Sequence, residues 1–132
     1  MGKKFIGVGL VLAALTATVA LAEIDVSDFD EDVMKTMDDT NKTLEPDIAG
    51  KNTQAALEGI EIIQQGLQWT EEYFAHKGNA ADGVRFAQEG KQIAAQVLAS
   101  VNAGDFEKAG AAARELTKNC KACHEVYKPK GL

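Results

Sequence analysis

The chain has 132 residues, 14 basic and 20 acidic side chains, two histidines and a formal net charge of −6. Its length suits one domain with one core. A chain this acidic is a poor partner for nucleic acid or for an anionic membrane surface.

The N-terminus reads as an address. Lys3 and Lys4 open it, FIGVGLVLAALTATVAL (5–21) follows without a charge, and Ala20-Leu21-Ala22 is a small-x-small pattern ahead of Glu23. That is the layout of a secretory signal peptide cleaved after Ala22; as a membrane anchor the run is slightly short and lacks a stop-transfer flank. The expected division is a signal peptide, 1–22, and an exported, periplasmic domain, 23–132. Losing Lys3 and Lys4 takes the net charge to −8. Asp25, Asp28, Asp30, Glu31 and Asp32 crowd the start of that domain, while Arg114, Lys118, Lys121, Lys128 and Lys130 gather near its end.

No strand alternation persists; helical periodicity does. A first helix is expected from Ser27, whose hydroxyl can cap it, to the exit at Pro46. Met34, Met37, Asn41 and Leu44 form its seam, with Phe29 and Val33 beside them. A second runs from about Thr53 to His76, with Ala56, Ile60, Ile63, Leu67, Thr70 and Phe74 inward and Gly78 as its C-terminal cap. A third runs from about Ala81 to Val101, capped by Asn79, with a stripe of Phe86, Gly90, Ile93, Val97 and Val101. A fourth starts at Asp105 and ends by Pro129. Its face repeats without a break: Phe106, Ala109, Ala113, Leu116, Cys120, Cys123, Tyr127. Short connections make neighbours antiparallel, so the expected fold is all-α, an up-down-up-down four-helix bundle. Glycines inside these helices (Gly59, Gly66, Gly83, Gly90, Gly110) either leave room for a large flat group or let helices approach closely.

The two cysteines lie in "NCKACHEVY" (119–127), near the C-terminal end of the fourth helix. A redox dithiol needs a stabilised thiolate, usually at a helix N-terminus. A disulfide between residues so close closes too small a loop to stabilise much. Zinc wants four ligands, and beyond Cys120, Cys123 and His124 the chain offers only the distant His76, read as an exposed residue at a helix end. C-x-x-C-H is the attachment signature of haem c: two thiols add across the vinyl groups and His124 supplies an axial nitrogen. One covalent haem is the expected cofactor, with Cys120 and Cys123 as its anchors.

Here the chain resembles the class II cytochromes c, the cytochrome c′-like four-helix family. The resemblance covers nearly all of the domain and is most specific in GDFEKAGAAARELTKNCKACHEVYK (104–128), which puts C-x-x-C-H near the C-terminus with Tyr127 three residues on; Trp69 is also similar. Met34 and Met37 share a helix face, and periodicity does not choose between them. In the family, a first-helix position decides between an open, high-spin iron and a methionine-bound, low-spin one. "DVMKTMDD" has Met34 there, so the resemblance implies Met34 as sixth ligand. Where the family often has an aromatic, an arginine and a glutamine near the propionates, this chain has Phe29, Asp30 and Glu31, which implies a different propionate site. Lys128 stands where arginine is frequent and loses its two-pronged geometry. The resemblance implies a one-electron carrier between redox protein partners, with iron held by His124 and Met34, and a homodimer through the first two helices. The alternative is a high-spin protein binding nitric oxide or carbon monoxide. No acid–base pair or nucleophile is apparent, so the chain is not read as an enzyme. The C-terminal lysines are expected to complement the helix dipole, with partner docking as the alternative.

Overall fold

Thr53–Lys77 (α2) has the apolar residues it needs at helical spacing, and all six expected seam positions, Ala56, Ile60, Ile63, Leu67, Thr70 and Phe74, are buried. Asn52 caps its start by accepting from Ala55 N–H, and Gly78, at φ +76°, ends it in the left-handed conformation that glycine adopts without strain. This is a computed structural model, and it describes residues 24–127. The expected signal peptide, Lys128, Pro129 and Lys130 lie outside the described residues.

Around α2 stand α1 (Glu31–Ala49), α3 (Ala81–Asn102) and α4 (Phe106–Val126). Contacts along each interface run in opposite senses. On α1 and α2, Leu44 meets Gly59 and Met37 meets Gly66; on α2 and α3, Leu67 meets Gly90 and Phe74 meets Gly83. On α3 and α4, Gly90 meets Asn119 and Asp82 meets Tyr127. On α4 and α1, Gly110 faces Ile48, Arg114 pairs with Glu45 at 2.9 Å and Thr117 bonds Asn41. The fold is an all-α four-helix bundle with antiparallel neighbours, as expected. Among the described residues no helix is long and apolar enough to cross a membrane.

Three helix ends differ from expectation. α1 is capped by Asp30, not Ser27: the Asp30 carboxylate accepts from Asp32 N–H at 2.9 Å and Val33 N–H at 3.2 Å. Ser27 instead donates its own N–H to Asp25 at 2.8 Å in the preceding turn. Phe29 is buried between Trp69 and Tyr73, with ring centroids 4.7 and 4.8 Å away, and this fixes where the chain can turn into the helix. Pro46 does not end α1. It sits exposed in the last turn, its carbonyl still accepts from Gly50 N–H at 2.9 Å, and Ile48 beyond it is only 1% exposed, so burial offsets the one lost hydrogen bond. Asn79 does not cap α3. Ala80 holds that place with no side-chain bond, and Asp82 accepts from Gly83 N–H at 3.0 Å and from the Tyr127 phenol. The Asp105 cap of α4 is as expected, accepting from Lys108 N–H.

The α3 seam is also smaller than expected: Gly83, Ala87, Gly90, Ala94, Val97 and Val101 are buried, while Phe86 and Ile93 are half-buried at its flanks. Gly66, Gly83 and Gly90 each carry a side chain of a neighbouring helix directly on their backbone, so these glycines serve close helix approach. Two apolar clusters result. One runs the length of the bundle. The other, at the end where α4 finishes, contains Phe74, Ala80 and Tyr127, with Phe86 and Cys123 packed against it.

Candidate functional site

Between the two clusters all four helices draw back from a slot of about 490 Å³, of which only about 50 Å³ is wide enough to admit water. The enclosed part of the slot is narrow. α1 contributes Met34, Met37, Asp38 and Asn41; α2 contributes Leu67 and Thr70; α3 contributes Phe86 and Ala87; α4 contributes Asn119, Cys120, Cys123 and His124. A second recess of about 280 Å³ continues from it past Val26, Phe29, Phe74 and Tyr127, and shares Met34, Thr70, Cys123 and His124 with the first. Toward solvent the slot gives onto a groove between α1 and α4 edged by Lys42, Pro46 and Lys121.

Met34, Cys120, Cys123 and His124 therefore line one space. Cys120 and Cys123 are both free thiols, half-buried on successive turns of α4. Burial, with the negative charge of Asp38 added, pushes Cys120 up to about 11. Burial, then Cys120 and Asp82, pushes Cys123 up to about 12. Both are held as neutral S–H groups, the opposite of the thiolate that dithiol exchange requires. Burial lowers the pKa of His124, against a smaller opposing pull from Asp38, which favours the neutral imidazole with one ring nitrogen's lone pair free. Among the described residues no three His, Cys, Asp or Glu side chains are grouped to hold a metal ion. His76 lies apart at the end of α2, exposed, its Nδ1 2.7 Å from the Glu72 carbonyl.

The two α1 methionines are in different situations. Met37 is 7% exposed, and its thioether lies against the backbone of Gly66. Met34 is half-buried and borders both recesses. Asp30 is engaged as the α1 cap, and Glu31 is exposed in the first turn. The aromatics form a chain outward from the slot: Tyr127 on Phe74 at 4.6 Å, Phe74 on Tyr73 at 5.3 Å, Tyr73 on Trp69 at 5.7 Å. Asp28 ties the segment before α1 to this cluster by accepting from Tyr73 at 2.6 Å and Lys77 at 2.7 Å. Lys118 pairs with Glu115 at 2.7 Å on the exposed side of α4, and Lys121 is exposed beside the slot.

Sequence reading did not single out Asp38, Thr70, Phe86 or Asn119 as site residues. Asp38 follows Met34 by one helical turn, so helical spacing holds the signal for it; Thr70 and Phe86 read as core positions, and Asn119 carries no signal of its own. Set against family models, curated proteins and solved structures, the chain has no match.

Proposed function

We propose that the chain is an exported, periplasmic monohaem c-type cytochrome resembling class II, carrying single electrons between protein partners. Cys120 and Cys123 hold the haem through thioether bonds in this reading. His124 would supply a ring nitrogen to its iron and Met34 a thioether sulfur. The observation that carries it is the convergence of these four side chains, from α1 and α4, on one narrow slot.

Three features fit such a group. The slot is walled by Leu67, Phe86 and Ala87, an apolar lining that suits a flat apolar ring. The thiols are free and three residues apart, as attachment requires. The donor set is a neutral imidazole and a neutral thioether, the pairing that favours ferrous iron and raises potential. Bound haem supplies a ferric/ferrous couple; the chain's own residues set its surroundings. The apolar walls exclude water, and the helix frame holds the two ligand-bearing elements so that little reorganises. The reading assigns no enzymatic step.

Optical spectra of the oxidised and reduced protein test it. The expected result is a low-spin spectrum in both states, with the colour retained by the protein after acid–acetone extraction. Colourless protein, or haem that washes out, overturns the reading. A high-spin spectrum instead gives the place to the gas-binding alternative.

A further inference from the structure

α1 and α4 are the least intimate neighbours in the bundle. Their contacts climb in register from Ile48 on Gly110, through Glu45 with Arg114, to Asn41 with Thr117. One turn further, Asp38 and then Met34 on α1 look across the slot at Cys120, Cys123 and His124 on α4. The Asn41–Thr117 pair is thus the last bond between these helices before the slot opens.

That pair is directional. Asn41 Nδ2 donates to Thr117 Oγ1 at 3.1 Å. The hydroxyl has one proton of its own, and two acceptors are in reach: the Ala113 carbonyl at 3.2 Å and Asn41 Oδ1 at 3.3 Å. Donation to Ala113 back-bonds the hydroxyl to its own helix and turns a lone pair toward Asn41. The other α1–α4 contacts carry little register information. Gly110 presents a small surface, and Glu45–Arg114 is an exposed ion pair of flexible side chains. A half-buried polar pair between packed helices is a device by which they fix one register against its neighbours.

We infer that Asn41 is a positioning residue: through Thr117 it sets the register and separation of Met34 and His124 across the slot. This rests on the proposed function. It makes the Met34 distance a property of a hydrogen bond seven residues away on the same helix. A net hydrogen bond corresponds to a population factor of roughly 5–10. Without this one, the helices should sample slipped registers to that extent, and Met34 should leave the iron more often.

The test uses the haem-loaded protein with Asn41→Leu, Thr117→Val, the double variant and Thr117→Ser. Readouts are the high-spin fraction in the optical and electron paramagnetic resonance spectra and the rate of carbon monoxide binding to the reduced protein. Asn41→Leu and Thr117→Val should each gain a high-spin fraction and bind carbon monoxide about 5–10 times faster. The double variant should be no worse than either, because one pair is lost in all three. Thr117→Ser, which keeps the hydroxyl, should behave as wild type; it also shows whether a disturbed Thr117→Val reflects lost hydrogen bonding or lost folding. Asn41→Leu with wild-type spectra and binding rate overturns the inference, as does Thr117→Ser disturbed as much as Thr117→Val. In both cases a low-spin wild type leaves the proposed function standing. A wild type that is high-spin or holds no covalent haem removes both.

Discussion

Placing a methyl group on Gly83 should lower stability, although a helix ordinarily prefers alanine. Gly83 lies in the first turn of α3, and an added Cβ would sit 2.5 Å from Cγ and Cδ1 of Phe74 and 2.8 Å from Cδ2. Comfortable carbon–carbon contact is about 3.5–4.0 Å, so the ring must retreat by about 1 Å. Its room is small: Phe74 is 3% exposed and lies against Tyr127 at 4.6 Å and Tyr73 at 5.3 Å, with only the narrow recess it lines to move into. Overpacking costs about 1–3 kcal/mol, and a rigid ring overlapped at three atoms belongs in the upper half of that range. Alanine returns about 1 kcal/mol of helix propensity. The net loss is about 1–2 kcal/mol, or roughly 5–15 °C in Tm for a domain of this size. Thermal unfolding followed by far-UV circular dichroism measures it. In a Phe74→Leu background the same change should cost at least about 1 kcal/mol less, since the overlap is gone. A Gly83→Ala variant that melts higher than wild type, or pays the same penalty without the ring, refutes the reasoning.

The two methionines should separate cleanly. If the proposed haem is bound, Met34→Ala should shift its iron toward high-spin, lower the potential and admit carbon monoxide, whereas Met37→Ala should keep the spectrum and cost about 2–5 kcal/mol in denaturant unfolding, because its side chain is core. Lys51 holds φ +56° between α1 and α2 without being glycine; Lys51→Gly should relieve about 1–2 kcal/mol of strain against a smaller gain in unfolded-chain entropy, raising Tm by a few degrees. Asp28 has its carboxyl held below the ordinary range first by the Lys77 ammonium and then by the Tyr73 phenol. A depressed carboxyl stabilises above its unfolded pKa and ceases to as pH falls through the lower folded value, so tethering of the segment before α1 should weaken below about pH 4. Nuclear magnetic resonance titration of Asp28 should show the low midpoint, and a midpoint at or above 4 would contradict the contact.

How much of this was legible depended on whether the informative residues carried a signal of their own. α2 packs against both α1 and α3, its inward positions are large and apolar, and its seam was read correctly at every position. On α3, Gly90, Val97 and Val101 are buried as expected, but Gly83, Ala87 and Ala94 carry little hydrophobic signature beside the larger Phe86 and Ile93, which stand on the flanks. The α1 start was expected at Ser27, but Phe29 packs on Trp69 and Tyr73, about 40 residues away in the chain, and the cap falls to Asp30. Pro46 reads as a stop because it removes a donor, and only the burial of Ile48 shows why the helix goes on. In the site, Cys120, Cys123 and His124 were legible because the motif is contiguous. The facing wall was legible only in part: Asn41 falls on the expected seam, whereas the charge of Asp38 argued for an outer face although it lines the slot across from α4.

Tyr127 has a consequence for where the C-x-x-C-H segment can be placed. The last turn of any helix has carbonyls without partners and frays easily. Cys123 and His124 lie in that turn of α4. Directly after it the chain extends, and Tyr127, 6% exposed, sets its ring on Phe74 and its phenol on Asp82 at the start of α3. The end that ought to be loosest is stitched down just past Cys123 and His124. A short stretch of chain following the motif is therefore as much a part of the site as the motif, and grafting C-x-x-C-H onto the tail of another helical bundle should fail to give a rigid site unless an anchor of this kind is carried with it.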